Sequence, residues 1–255
     1  MNKGTVKKLK RFLLALVFWL GLWFLLSLLI DQELLLPSPW QVLCRLSTIA
    51  GTGAFWVMTG NSILRVLCGI LSAAILGVLL ALLSHHSALA HTLLSPLMTL
   101  VKSTPVASFI VLALVWIGRD SVPVFITGLI VLPVVWGNIS AALSGVDAKL
   151  LELAAVYRMP RLRVFRRITL PSILPFFRAA LSTSLGLGWK AGIAAEVLTV
   201  PRESVGRMIY ESKLYLETTD LFAWTATVIV LSLLIERGLL TLIQRPGKRR
   251  GRQHA

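Results

Sequence analysis

Acidic residues are scarce in this chain. It has 11 Asp and Glu against 26 Lys and Arg in 255 residues, and charges of both signs make up only 15%. A soluble domain carries about 25% charged residues, so a surface wetted on all sides is excluded. Cysteine is almost missing. Cys44 and Cys68 stand apart, with no paired spacing and no histidine set beside them, which excludes a disulfide framework and a thiolate metal site. No glycine-rich loop ends in Lys followed by Ser or Thr, so the chain is not expected to bind ATP by itself. No Ser/His/Asp set stands out, which argues against an enzyme, and no solenoid period is evident.

What the chain has instead is hydrocarbon. Hydrophobic residues are 56% of the total and the mean hydropathy is +0.80. A membrane span takes about 20 apolar residues, and six can be drawn: 12–30, 62–83, 91–117, 122–143, 175–200 and 221–243. The fold class is therefore all-α and polytopic, with about six transmembrane helices. The net charge of +15 does not point to nucleic acid, because the cations collect at residues 1–11, at 244–255 and in the interval 147–175. Clusters alternating with spans are the mark of positive-inside topology, which puts both termini and the loop 144–174 in the cytoplasm. The first span is too long for a signal-peptide core, and no small-residue cleavage site follows it before Asp31, so it is expected to be retained.

Outside the spans, Ser38 with Pro39 reads as the capped start of an interfacial helix, with Trp40 and Trp56 at headgroup level. In the second span, Gly69, Ser72, Ala73, Ala74 and Gly77 offer small surfaces for close helix packing. Arg65 near its outer end reads as a snorkelling side chain. His85 and His86 are adjacent and so do not share a helix face, and only His91 is near, so no metal site is expected. The outer loop 199–220 includes a helix expected over 205–216.

Charges and amides at membrane depth are costly unless paired or hydrated. Lys102, Ser103 and Thr104 precede Pro105 in the third span, where a kink at the interface and a broken helix lining a pathway are both compatible readings. Asn138 suits a bond between helices or a pathway wall. Lys190 and Glu196 lie six positions apart on span five, on different sides of one helix, so each needs a partner elsewhere or water. A pathway and a structural ion pair between helices both satisfy that need.

The basic interval 147–175 organises the rest. Asp147 caps a short helix whose Leu150, Leu151, Ala154, Ala155 and Tyr157 fall at helical spacing, and Pro160 breaks it. A second short helix is expected over 162–169. Glu152, Ala154, Ile168, Leu170 and Pro171 stand at the spacing Glu-x-Ala, then Ile-x-Leu-Pro. This resembles the EAA loop of bacterial ABC importer permeases, and the Leu36-Pro37-Ser38-Pro39 element and Ala195-Glu196 are similar to the nitrate, sulfonate and taurine branch. One departure is clear: Arg158 occupies the place of the family's glycine, and Pro160 is expected to supply the turn instead.

The resemblance implies a translocation subunit in the bacterial inner membrane, working as a dimer, with cytoplasmic ATP-binding subunits and an extracytoplasmic substrate-binding protein as partners. It implies no cofactor. It assigns coupling to Leu151, Glu152, Ala154, Ala155, Ile168, Leu170 and Pro171, and leaves Lys102, Ser103, Thr104, Asn138, Lys190 and Glu196 as pathway candidates. Lys190 hints at an anionic solute. An ion-gradient transporter using Lys190 or Glu196, and a non-transporting membrane scaffold, are the two other classes compatible with the composition.

Overall fold

The computed structural model describes residues 3–243, so the basic tail 244–255 lies outside the described residues. The described part is helical throughout its ordered elements. In chain order these are α1 (Lys3–Ile30), α2 (Pro39–Ala50), α3 (Gly53–His86), α4 (Ala88–Ser103), α5 (Val106–Trp116), α6 (Val122–Ser144), α7 (Ala148–Val156), α8 (Arg161–Val164), a π-helical turn (Phe165–Thr169), α9 (Leu170–Thr199), α10 (Val205–Leu214) and α11 (Thr218–Ile243).

Five helical stretches are long and apolar enough to cross a membrane, within α1, α3, α6, the run from α8 through α9, and α11. The bent pair α4 and α5 brings the number to six if counted as one crossing. The chain bends by 107° between the two arms of that pair, so 91–117 is not a straight span. Pro105 explains the turn. It disfavours helical geometry at the residue before it, and Thr104 is accordingly extended at φ −82°, ψ 134°.

The core is the sandwich of α3, α6 and α9. Val66, Ile70 and Ala73 of α3 meet Val131, Val135 and Ile139 of α6, with Leu185, Trp189 and Ile193 of α9 closing the cluster. Between membrane helices, lipid gives no hydrophobic drive, and association depends on close fit. Small residues supply it here. A Cβ on Gly69 would stand 2.6 Å from the carbonyl oxygen of Val124, and one on Gly192 would stand 2.6 Å from Thr127 Oγ1. Trp189 Nε1 also reaches α11, donating to the carbonyl of Val228 at 3.2 Å.

The remaining pieces dress this core. α1 packs little of its length; Trp23 anchors it by donating to Pro37 O at 3.1 Å and stacking on Phe222. Ser38 caps α2 in a full capping box with Gln41, and Arg45 of α2 holds Asp220 of α11 with both carboxylate oxygens engaged. Trp40 and Trp56 both stand exposed at this end of the bundle. α10 begins at Val205 as the sequence implies and ends at Leu214.

Candidate functional site

Two groups of residues sit at opposite ends of the bundle. At one end lies α7, with the helix capped by Asp147, whose carboxylate accepts from Lys149 N at 2.9 Å. Ala154 is packed inward at 3% exposure, while Val156 and Tyr157 stand 78% and 73% exposed, and Leu150, Leu151 and Leu153 are exposed too. A surface helix normally turns its apolar stripe to its own core. This one shows much of it outward, with Glu152 and Ala155 exposed beside it.

The chain leaves α7 by a Schellman turn. Met159 N donates to Ala154 O and Arg158 N to Ala155 O, both at 2.9 Å. That motif needs a left-handed residue at the second place past the helix, usually glycine. Arg158 takes it at φ 49°. The expected substitution of Pro160 for the family glycine is therefore corrected: the turn is made at the same place, by an arginine under backbone strain, and Pro160 starts the next element as the residue before α8.

Nor is there a separate second helix over 162–169. α8 passes through the π turn, where Leu170 N donates to Phe165 O, directly into α9. Pro171 and Pro175 have no N–H to give, which loosens the ladder where that turn widens. Ile168 lies in the π turn and Leu170 and Pro171 open α9, so the helical path from Arg161 to Thr199 is continuous and span five begins well before residue 175.

At membrane depth the candidates separate into two kinds. Ser103 and Thr104 hydroxyls both bond back to Leu100 O, at 3.0 and 2.8 Å, and so close the last turn of α4. Asn138 Nδ2 likewise donates to Val134 O of its own helix at 2.8 Å, so no bond between helices is made there. Lys102 and Lys190 are exposed on the subunit's surface, and among the described residues neither has an acidic partner within ion-pair distance. The Lys102 ammonium lies over α6, 3.6 Å from where a Cβ of Gly137 would be.

Glu196 is different in kind. It is fully enclosed, at 0% exposure. Ser62 Oγ donates to its Oε2 at 2.7 Å, Gly206 N at 3.2 Å, and Arg65 lies 3.4 Å from Oε1. Of the two readings left open for Glu196, this geometry favours the structural one: the carboxylate pairs with Arg65 of α3 and caps α10. The first N–H groups of a helix have no partner within it. In α10, Val205 N donates to Ser62 Oγ, Gly206 N to Glu196, and Arg207 N to Ser204 Oγ. A carboxylate at a helix N-terminus also meets the positive end of its dipole.

The sequence reading allowed an ion pair between helices but missed this latch, in which Arg65 is the partner and the carboxylate caps α10. Arg65 does not snorkel; Nη2 donates to Arg202 O at 2.8 Å, and Asp120 accepts from Arg202 N at 2.8 Å. These bonds fix the linker in which Val200 and Glu203 hold positive φ of 49° and 45°. The available signal was a cation and an anion at the same depth on two spans, near the same end.

Residues 73–248 match the family described as "Binding-protein-dependent transport system inner membrane component". The chain is 28% identical over 230 residues to the taurine transport system permease protein of Escherichia coli (strain K12), covering 88% of this chain and 83% of that one. It is 31% identical over 150 residues to the nitrate import permease protein of Leptolyngbya laminosa, covering 58% and 53%. Among solved structures, a chain of a bacterial ABC transporter that imports the acidic polysaccharide alginate superposes with a TM-score of 0.65 at 20% identity, over 96% of this chain and 100% of that one, a likeness of fold.

Proposed function

The chain belongs to the family of binding-protein-dependent transport system inner membrane components, and from that premise we propose how its parts move a solute. It is the permease subunit of an ABC importer, a multi-pass protein of the inner membrane. The ion-gradient and scaffold readings give way to that membership. In the proposed assembly two copies face each other, ATPase subunits sit on the cytoplasmic side, and a binding protein delivers solute from outside to the surface around α10. Both termini and α7 face the cytoplasm.

The observation that carries the coupling role is the outward apolar face of α7. Val156, Tyr157 and the leucines beside them are water-exposed in the lone subunit, and a groove in an ATPase subunit is the partner they suit. Burying such residues is worth about 1.5–3 kcal/mol each, enough to keep α7 seated while the ATPase closes. Glu152 is placed to meet a cation of the ATPase, and Ala155 admits close approach. Ala154 sets the helix's inner contact, and Leu151 belongs to the outward face. The continuous rod from Arg161 to Thr199, carrying Ile168, Leu170 and Pro171, hands the displacement to the transmembrane core.

The solute is a small anion or zwitterion of the taurine, sulfonate or nitrate kind. Lys102 and Lys190 support that reading. An uncompensated ammonium at membrane depth is costly against lipid, so each belongs against water or the second copy, where it attracts an anion. Ser103, Thr104 and Asn138 bond to their own helices and shape the wall beside Lys102 without facing charge.

The test is ATP-driven uptake by the complete importer in proteoliposomes. Glu152→Lys and Ala155→Asp each lose uptake, while the permease still inserts and folds. Normal uptake by both variants sinks the coupling role of α7.

A further inference from the structure

α9 turns two different faces to its surroundings. One is buried: Ala180 and Ser184 are fully enclosed, and a Cβ on Gly188 or Gly192 would press on Ile70 and Val131 or on Val66 and Thr127, side chains of α3 and α6. Val131 lies near the middle of α6, which puts this stretch of α9 near the middle of the membrane. The other face points away from the subunit. Ala179, Thr183, Lys190 and Ala194 are exposed on it, with Ser182 and Gly186 half-buried between them. Helix positions separated by three, four, seven or eleven residues share one side.

That outward face is not built for lipid. Over the same depths α3 exposes Leu64, Leu71, Ile75 and Leu79. On α9, among the described residues, Leu187 alone is a large exposed apolar side chain between Phe177 and Val197. In place of leucines there stands an ammonium, Lys190, with no acidic group at ion-pair distance among the described residues. Gly186 adds a second oddity. Glycine inside a helix destabilises it relative to alanine. Gly188 and Gly192 offset this by close packing, but a Cβ on Gly186 would meet nothing within 4 Å. Nothing in this subunit accounts for the missing side chain. A dry seam with a second copy does not account for it either. Contact through this face about a two-fold axis sets the Lys190 of each copy side by side with no carboxylate between them, which is costly away from water.

We propose that this face is the oxyanion seat of the pathway: Lys190 and the Ser182 hydroxyl hold the charged group of the solute, and the missing side chain of Gly186 leaves the room that group fills. This rests on the pathway role already proposed for Lys190, to which Ser182 and Gly186 are added. Gly186 lies one helical turn from each of them, about 6 Å, so an oxyanion of sulfonate or nitrate size placed over it reaches both donors. Thr183 gives its hydroxyl hydrogen to Ala179 O at 3.2 Å, so it shapes the seat without donating to it. Glu196, sealed behind α10, does not oppose the anion from this side.

The experiment uses the complete importer in nanodiscs, with the exposed Cys44 and Cys68 replaced by Ser. Gly186→Cys is compared with Ile75→Cys on the exposed side of α3. The probes are two methanethiosulfonate reagents of similar size, one ending in a sulfonate and one in a trimethylammonium, each rate divided by that with free cysteine. The reacting species is the thiolate, so a thiol covered by lipid stays unlabelled. Gly186→Cys is expected to label and Ile75→Cys is not. The sulfonate reagent is favoured by about tenfold, the Coulomb difference between opposite unit charges about 6 Å from an ammonium in water. Adding Lys190→Ala removes that preference. Gly186→Leu, whose side chain leans over the preceding turn, suppresses labelling at Ser182→Cys and keeps the thermal unfolding midpoint of wild type. A Gly186→Cys thiol that stays unlabelled, or that forms a disulfide between the two copies, overturns the seat and takes the pathway role of Lys190 with it. Labelling without charge preference, or undiminished labelling of Ser182→Cys beside Gly186→Leu, overturns the seat alone and leaves a water-lined pathway.

Discussion

Glu196→Ala tests the reassignment of the buried carboxylate. The change leaves Ser62 O–H and Gly206 N–H pointing into a space closed to water. A hydrogen bond to a charged group contributes about 1.5–3 kcal/mol, so losing both costs roughly 3–6 kcal/mol. Arg65 adds little to that sum, because it is 3.4 Å from the carboxylate and keeps its bonds to the carbonyls of Arg202 and Glu203. Glu196→Gln retains an acceptor of the same shape and loses about half as much or less. The assay is equilibrium unfolding of the purified permease in dodecyl sulfate, with limited proteolysis at Arg202 reporting release of the α9–α10 linker. The expected order of stability is wild type, then Gln, then Ala, with the linker cut fastest in the Ala variant. Full stability of Glu196→Ala, together with a changed solute preference, refutes the latch and returns Glu196 to the pathway.

Other outcomes follow from the same geometry. Gly206→Ala brings a Cβ within 2.3 Å of Glu196 Cβ, so it displaces α10 and accelerates cleavage at Arg202 much as Glu196→Ala does. Gly192→Ala drives a Cβ into Thr127 and Val66 and destabilises the α6–α9 pair by about 1–3 kcal/mol in the same unfolding assay. Arg158→Gly relieves a left-handed side chain, stabilises the subunit by up to about 1 kcal/mol and preserves uptake, whereas Arg158→Val, β-branched at φ 49°, destabilises it. If Lys190 faces the pathway as proposed, Lys190→Ala lowers the rate of anion uptake in proteoliposomes and leaves basal ATP hydrolysis by the importer unchanged, since it lies on α9 and not on α7.

Local signals were legible where they were local in fact. Asp147 before α7, Ser38 and Pro39 before α2, and Val205 opening α10 all fall where caps and spacing put them. The small residues of α3 predicted a close seam, and Gly69 lies against Val124. What could not be read depends on partners far along the chain. Glu196 and Arg65 are separated by 131 positions, and nothing in periodicity says which side of α9 meets α3. A charge in a span looks the same whether it lines water or caps another helix. The backbone at Arg158 was hidden for another reason: its left-handed turn is normally announced by glycine, and here the geometry persists without it. The 107° bend at Pro105 was half visible, because a proline marks a break but not the angle through which the next helix turns.

The most direct measurement concerns motion at α7. A nitroxide at Lys149→Cys, on the exposed first turn of that helix, is placed in every permease copy of the complete importer in nanodiscs, with the exposed Cys44 and Cys68 replaced by Ser. Pulsed electron-spin distances are recorded without nucleotide, and again with ATP held unhydrolysed. The account predicts one defined distance between two copies, shortened by ATP together with closure of the ATPase pair. A label distance that ATP leaves unchanged, while the ATPase subunits demonstrably close, contradicts it.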